Sequence, residues 1–330
     1  MRRWLACAMF AMLAACVQAP TQVPAPARDP AAKMASLPKV TQGSATGWGG
    51  MAPLGDGRYL IVHDNKANEP GTRLSTFDPM TSRPQALSQP VALIDWRHPQ
   101  GISNDLESVC ALEGRPGEVL AAESGYYKGQ YGRIFHLKIA GQTAEILRTH
   151  ALPRDLVDEK PANYEGLACQ RQADGRTLLI LGERGGGAPR PQGSLRIGWL
   201  DADLRAVRWD AAIVPVRAAG TWSAQYQVRD IADLALEPDG TLWSVAAIDP
   251  GDQGPFRSMI WRVGTVDGSK AQPIELLPAA VGWTLEGLKV EAITTPGPTM
   301  KGVRLIMATD DEDYGAAWRT LGAPENPPQP

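Results

Sequence analysis

Short apolar runs recur along the chain, and five of them end on an acid: residues 59–64 (YLIVHD), 119–123 (VLAAE), 178–183 (LLILGE), 242–249 (LWSVAAID) and 305–310 (LIMATD). Runs of this length bounded by Gly, Pro and Asp read as β-strands buried on both faces, and no helical periodicity of useful length accompanies them. A second signal precedes three of these strands, an acid followed by Gly or Ser and an apolar residue. It reads Asp105-Leu106-Glu107-Ser108, Tyr164-Glu165-Gly166-Leu167 and Leu285-Glu286-Gly287-Leu288, with a degenerate copy at Asp230-Ile231-Ala232-Asp233.

Aligned on the glutamate, the repeat falls at Gly49, Glu107, Glu165, Ala232 and Glu286, separated by 58, 58, 67 and 54 residues. Each interval holds four short strands. In the third unit they are residues 165–170, 177–182, 194–200 and 207–216, with the turn ADGR (173–176) between the first two. Matching Asp-Gly turns at 54–57 (LGDG) and 237–240 (EPDG) support the register. A repeat of this period without helices predicts an all-β chain, a β-propeller of four-stranded antiparallel blades around a central channel. Five blades are counted, or six if a divergent one lies near 203–229. The last unit, from 284 to 321, runs out after three strands, and a strand over 39–46 is expected to complete it.

In such a fold the loops before the first strand and after the second open on one face, so both acidic sets are expected there. The first set is Glu107, Glu165 and Glu286; the second is Asp64, Glu123, Glu183, Asp249 and Asp310. Carboxylates crowded around one axis cannot all stay ionised without a counter-charge, since each raises the pKa of the others. Either some are protonated general acids or a hard cation neutralises them. With His and Cys sparse near the repeat, calcium fits the oxygen donors better than zinc. The expected metal ligands are Glu107, Glu165, Glu286 and Asp230, with Glu183 or Asp310 as water activators and Arg184 orienting the substrate. Read one at a time, each of these acids is equally an ordinary solvated turn residue.

The ends change the picture of where the domain works. Arg2 and Arg3 precede a run over 4–15 too short to span a bilayer, which reads as a signal peptide over residues 1–15. The run ends Leu13-Ala14-Ala15-Cys16, resembling the lipobox of bacterial lipoproteins, which implies a lipid anchor on Cys16. Val17 follows in place of the Asp associated with inner-membrane retention, so the expectation is the cell envelope, with the outer membrane on its periplasmic side. Residues 16–38 are expected to be an Ala/Pro/Gln-rich tether, 39–321 the single propeller domain and 322–330 a disordered tail. The formal charge of −3 becomes −5 once Arg2 and Arg3 are removed, so nucleic acid is not an expected partner. Cys110 and Cys169 are the two cysteines of the mature domain, expected on neighbouring strands but one register apart; an oxidising periplasm permits a disulfide, and the sequence does not indicate one.

Taken together, Asn163-Tyr164-Glu165-Gly166-Leu167-Ala168, Asp174-Gly175-Arg176-Thr177-Leu178 and Gly182-Glu183-Arg184, echoed at Asp105–Ser108 and 285–288, resemble the phytase-like ("esterase-like activity of phytase") domain of secreted bacterial proteins, over about residues 45–321. The resemblance implies a propeller and a calcium-assisted phosphoester or ester hydrolase. Gly49, Ala232 and Ser108 depart from its pattern. Neither a Gly-x-Ser-x-Gly elbow nor a His-Glu-x-x-His motif occurs. Gly185-Gly186-Gly187 reads as a flexible loop. Lys128, Arg184, Arg190 and Arg257 are candidate anion-binding cations, and His63 a candidate base. Tyr126, Tyr127 and Tyr131, with Trp48, Trp222 and Trp283, allow a rival use of the same face, a non-catalytic scaffold binding a small molecule, glycan or envelope partner.

The anchor makes one prediction. Cys16→Ser should move the protein from the membrane fraction to the soluble periplasmic fraction and abolish incorporation of labelled fatty acid, read by fractionation and autoradiography.

Overall fold

The computed structural model describes residues 47–67, 71–80, 89–90, 92–95, 102–125, 132–157, 160–248 and 250–324. Over these the chain forms a five-bladed β-propeller. Blade one is β1 (Trp48–Pro53), β2 (Tyr59–His63), β3 (Leu74–Phe77) and β4 (Gln89–Pro90), paired in that order. Next come β5 (Ala92–Asp95), β6 (Leu106–Ala111), β7 (Glu118–Glu123), β8 (Arg133–Ala140) and β9 (Thr143–Ala151). Blade two is β6 to β9, and β5 adds to its outer edge parallel to β9. A short ladder, β10 (Leu156–Val157) with β11 (Lys160–Pro161), leads into blade three: β12 (Tyr164–Arg171), β13 (Thr177–Glu183), β14 (Gly193–Leu200) and β15 (Val207–Val216). Blade four holds β16 (Val228–Arg229) and β17 (Leu234–Leu236), which both pair with β18 (Thr241–Ile248), then β19 (Arg257–Val266) and β20 (Ile274–Glu286). Blade five is β21 (Val290–Thr294), β22 (Leu305–Thr309) and β23 (Trp318–Leu321).

The inner strands close a ring, with β1 against β6, β6 against β12, β12 against β17, β17 against β21, and β21 back against β1. The blade count is therefore five, and residues 203–229 supply β15 and β16 instead of a sixth blade. The third unit matches its predicted strands within one or two residues. Blade five has three strands among the described residues; the expected closing strand over 39–46, like the signal, the tether and the tail beyond 324, lies outside them.

The continuous apolar runs have a simple cause. Each blade is covered on both faces, so both sets of alternating side chains are buried. Along β2, Leu60 and Val62 join the core shared with blade two, while Tyr59 and Ile61 join the core shared with blade five. Along β13, Leu178 and Ile180 face blade four, and Leu179 and Leu181 face blade two. The five main clusters among the described residues thus lie one at each interface between blades. At roughly 1.5–3 kcal/mol for each fully buried large apolar side chain, these interfaces supply the main cohesion of the ring.

Glycine appears where inner strands approach closest. A Cβ on Gly50 would lie 2.8 Å from the Ser108 Cα, and one on Gly166 would lie 2.7 Å from the Leu234 Cγ. Deeper in the channel a disulfide joins Cys110 of β6 to Cys169 of β12, with Cα atoms 5.8 Å apart, a pairing the expected one-register offset does not indicate. It bridges two blades across 59 residues of chain.

A cross-link of that span restricts the unfolded chain, typically by about 2–4 kcal/mol. Replacing both Cys110 and Cys169 with Ser should therefore lower the melting temperature by about 5–10 °C for a domain of this size, measured by calorimetry. Reduction of the native protein should shift it in the same direction.

Candidate functional site

The first strands of the blades share a local irregularity that builds the site. In β1 the register skips at Gly49, in β6 at Glu107, in β12 at Glu165 and in β21 at Glu291, each a single bulged residue opposite the second strand. Blade four does the same with Asp233: Ala232 N–H donates to Val245 O, Val245 N–H donates to Asp233 O, and Leu234 pairs with Ser244. The true repeat is thus Gly49, Glu107, Glu165, Asp233 and Glu291, spaced 58, 58, 68 and 58 residues apart. A bulge re-aims the side chain it carries. Glu107, Glu165 and Glu291 line a cavity of about 190 Å3 at the mouth of the channel, and Gly49, also on its lining, lies close against the backbone of β6. A Cβ on Gly49 would stand 3.2 Å from Glu107 Oε2 and 2.6 Å from Leu106 O.

Two corrections follow for the predicted ligands. Glu286 ends the outermost strand of blade four, half exposed, with Arg257 Nε 2.8 Å from its Oε1; its register position belongs to Glu291. Asp230 is buried away from the cavity, its carboxylate accepting Gly193 N–H at 2.8 Å and Ala218 N–H at 2.9 Å. Among the other predicted residues, Glu107, Glu165, Asp310 and Arg184 do line the cavity. Glu183 is buried beside it at the end of β13 and accepts Gly185 N–H at 3.1 Å. Glu123 is bound by the Arg133 guanidinium, His63 is buried against Ser75 Oγ at 2.7 Å, and Arg190 holds Asp155 O. Lys128, Tyr126, Tyr127, Tyr131, Asp249 and Cys16 lie outside the described residues.

Seven carboxylates line the cavity (Asp64, Asp105, Glu107, Glu165, Glu291, Asp310, Glu312) against four cations (Lys66, Arg184, Arg229, Lys289), an excess of three negative charges when all are ionised. The charges are sorted by side. Arg184 Nη1 is 2.9 Å from Glu165 Oε1, and Arg229 Nη1 is 3.7 Å from Glu165 Oε2 and 3.4 Å from Glu291 Oε1. Lys289 Nζ is 3.3 Å from Glu291 Oε1 and 3.9 Å from Asp310 Oδ2, and it also binds Glu312. On the other side Asp64, Asp105 and Glu107 bring one oxygen each within 4.8 Å of one another. Lys66 binds Asp105 there, and no ion pair closes on Asp64 or Glu107 among the described residues.

Burial is the largest cause of the resulting shifts. It raises Glu107 well above the usual carboxylate range, aided by Asp105, Glu165 and Asp64, and it raises Asp64 against the opposing pull of Lys66. Burial outweighs Lys289 in lifting Asp310 to about 7, and lifts Asp311, just behind it, to about 6. Lys66 goes the other way to most buried lysines: burial favours its neutral form, but the bond to Asp105 overrides this and raises it.

The acidic donors are all oxygens, and among the described residues no His or Cys lines the cavity, a donor chemistry suited to a hard cation; Lys66 and Ser124 Oγ already engage the two oxygens of Asp105. Asp105, Glu291, Lys66, Lys289, Arg229 and Glu312 were not singled out from the sequence as site residues. The 58-residue period, continued from Asp233, points to Glu291.

No family model and no curated protein matches the chain. Solved structures resemble it at low identity. A Thermus thermophilus protein described as an oxidoreductase (glucose dehydrogenase) is 14% identical, with 86% of this chain and 99% of that one covered and a TM-score of 0.45. A GH43 β1,3-galactosidase is 12% identical over 86% of this chain and 59% of that one, with a TM-score of 0.47. An endo-arabinase of Bacteroides thetaiotaomicron is 12% identical over 82% and 90%, with a TM-score of 0.45.

The raised carboxyls make stability depend on pH in a definite direction. A folded pKa above the unfolded one means the native state binds more protons between about 4 and 7, so stability falls as pH rises through that window. In the presence of a chelator the melting temperature should be higher at pH 5 than at pH 8. Calcium should restore most of the loss at pH 8 and change little at pH 5, measured by differential scanning fluorimetry.

Proposed function

We propose that the axial cavity binds a divalent cation, calcium by its donor chemistry, and hydrolyses an anionic ester, a phosphoester above all. The observation that carries this reading is the sorting of charge: three carboxylates within 4.8 Å of one another, across from Arg184, Arg229 and Lys289 in one small cavity. Asp64, Asp105 and Glu107 would hold the cation. Bound there, it supplies charge stabilisation for a phosphoryl oxygen.

The chain's own residues account for the rest. Arg184 is a third exposed at its side chain and pairs with Glu165 through one nitrogen, which leaves guanidinium N–H groups to receive an anionic oxygen. Arg229 and Lys289 are held in place by Glu291, so the anion-binding side is organised before a ligand arrives. Asp310, with its pKa about 7, takes a proton from water at Oδ2 near neutral pH, since Oδ1 already accepts Gly47 N–H at 3.2 Å and Lys289 Nζ stands 3.9 Å from Oδ2. The phytase-like motifs bear in the same direction. For location we propose a lipid-anchored protein of the cell envelope, on the strength of the residues around Cys16.

Metal content of the purified protein and turnover on a panel of phosphate and carboxylate esters test the reading. One stoichiometric calcium is expected, with phosphoester turnover lost on chelation. Glu107→Gln should release the metal, and Asp310→Asn should keep it while lowering kcat by at least about 100-fold, the usual scale for losing a general base. Retained metal without any turnover in the wild type assigns this face to binding an envelope partner instead.

A further inference from the structure

One strand away from the axial cavity lies a second, larger concavity that the proposed hydrolysis does not use. Strand β16 is the divide. Its Arg229 faces the axial cavity, while Val228 and Asp230 on either side face outward into the groove, as alternation along a strand requires. The glycine loop after β13 lines the groove's inner wall: Gly186, at φ +77°, sits so close that a Cβ would collide with Val228 O. The far wall is the segment from Arg217 to Gln227. The space is about 390 Å3, within the roughly 300–1,000 Å3 of small-molecule sites.

We infer that this groove is a carbohydrate-binding site. Two aromatic rings line it, Trp222 and Tyr226. Trp222 is fixed before any ligand arrives: its Nε1–H donates to Ala219 O at 3.1 Å, and the Arg257 guanidinium lies 5.7 Å from the ring centroid. Arg257 is itself anchored, by Thr221 O at 2.7 Å and by Glu286 at 2.8 Å. A ring held in this way offers apolar contact to the C–H face of a sugar at little entropic cost. Polar groups stand around it. The Tyr226 hydroxyl and the Gln227 amide have no protein partner among the described residues, and the Arg217 guanidinium is exposed at the rim. Apolar ring faces with unengaged hydroxyl, amide and guanidinium groups match the alternating C–H and O–H surfaces of a sugar. A purely apolar ligand would leave those groups unpaired. Asp230 takes no part, because both its oxygens already accept backbone N–H groups.

This inference stands apart from the metal-dependent reading and is tested without turnover. Saturation-transfer NMR on the intact protein, in chelator, would use glucose, galactose, mannose, arabinose, N-acetylglucosamine and glucuronate as probes, with indole as the apolar control. Transfer to the ring protons of at least one sugar is expected. Trp222→Ala should weaken binding by about tenfold, the scale of one lost aromatic contact. Gln227→Ala, an exposed change that leaves the ring and its supports intact, should weaken it by a smaller factor. Wild-type melting temperatures in the variants keep loss of binding separate from loss of fold. The inference is overturned if no sugar shows transfer, if indole alone binds, or if sugar binding survives both substitutions. It is also overturned if Glu107→Gln abolishes sugar binding, since the sugar would then occupy the axial cavity. Failure of calcium binding or of ester turnover leaves these outcomes unchanged and counts only against the hydrolase reading.

Discussion

The closest approach of five strands around one axis governs the architecture of this protein. Sheets that radiate from a common centre can bury both faces only if their inner edges come nearly into contact, and those edges carry side chains that have nowhere to go but the channel. The sequence meets this constraint in two ways. Where neighbouring backbones would collide, as at Gly50 and Gly166, the Cβ is removed. Where a side chain must remain, a bulge turns it toward the mouth of the channel, as at Glu107, Glu165 and Glu291. The same geometry that lets the ring close therefore also gathers its charge.

Gathering charge has a cost that the molecule meets unevenly. Around Glu165, Glu291 and Glu312 the carboxylates are interleaved with Arg184, Arg229 and Lys289, and each acid has a cation within 4 Å. Around Asp64 and Glu107 no such pairing exists among the described residues, and burial raises both. An ion-pair network designed only for stability would have no reason to leave one side short of cations, because an uncompensated buried charge is strongly destabilising. The asymmetry leaves the side of blades one and two short of cations.

Much of the fold was legible because its signals are local. Five apolar runs, each ending on an acid, mark the second strands, and Asp-Gly turns fix the register of blades one, three and four. The site was less legible, for reasons visible in particular residues. Glu286-Gly287-Leu288 copies the wording of Glu165-Gly166-Leu167, yet Gly166 lies within an inner strand and Gly287 is in a turn at φ +75°. The tripeptide is the same and the backbone is not, so the copy misplaced the bulged acid of the fifth blade by five residues. Asp230 and Asp233 differ in the same way: three residues apart, they occupy an outer groove and the bulge of an inner strand, and only the pairing with Val245 and Ser244 tells them apart. Lys66, Arg229 and Lys289 reach the cavity from loops and strand ends of three separate blades, and short-range pattern carries no record of such convergence.

One bond in the cavity joins parts of the chain that are 263 residues apart. Gly47, at the entrance to blade one, donates its amide to Asp310, at the exit of the second strand of blade five, so the first and last blades meet inside the pocket itself. That bond adds a polar contact to the apolar seam that blades one and five already share. Protonation of Asp310 would therefore be felt at the seam between the first and last blades as well as in the pocket.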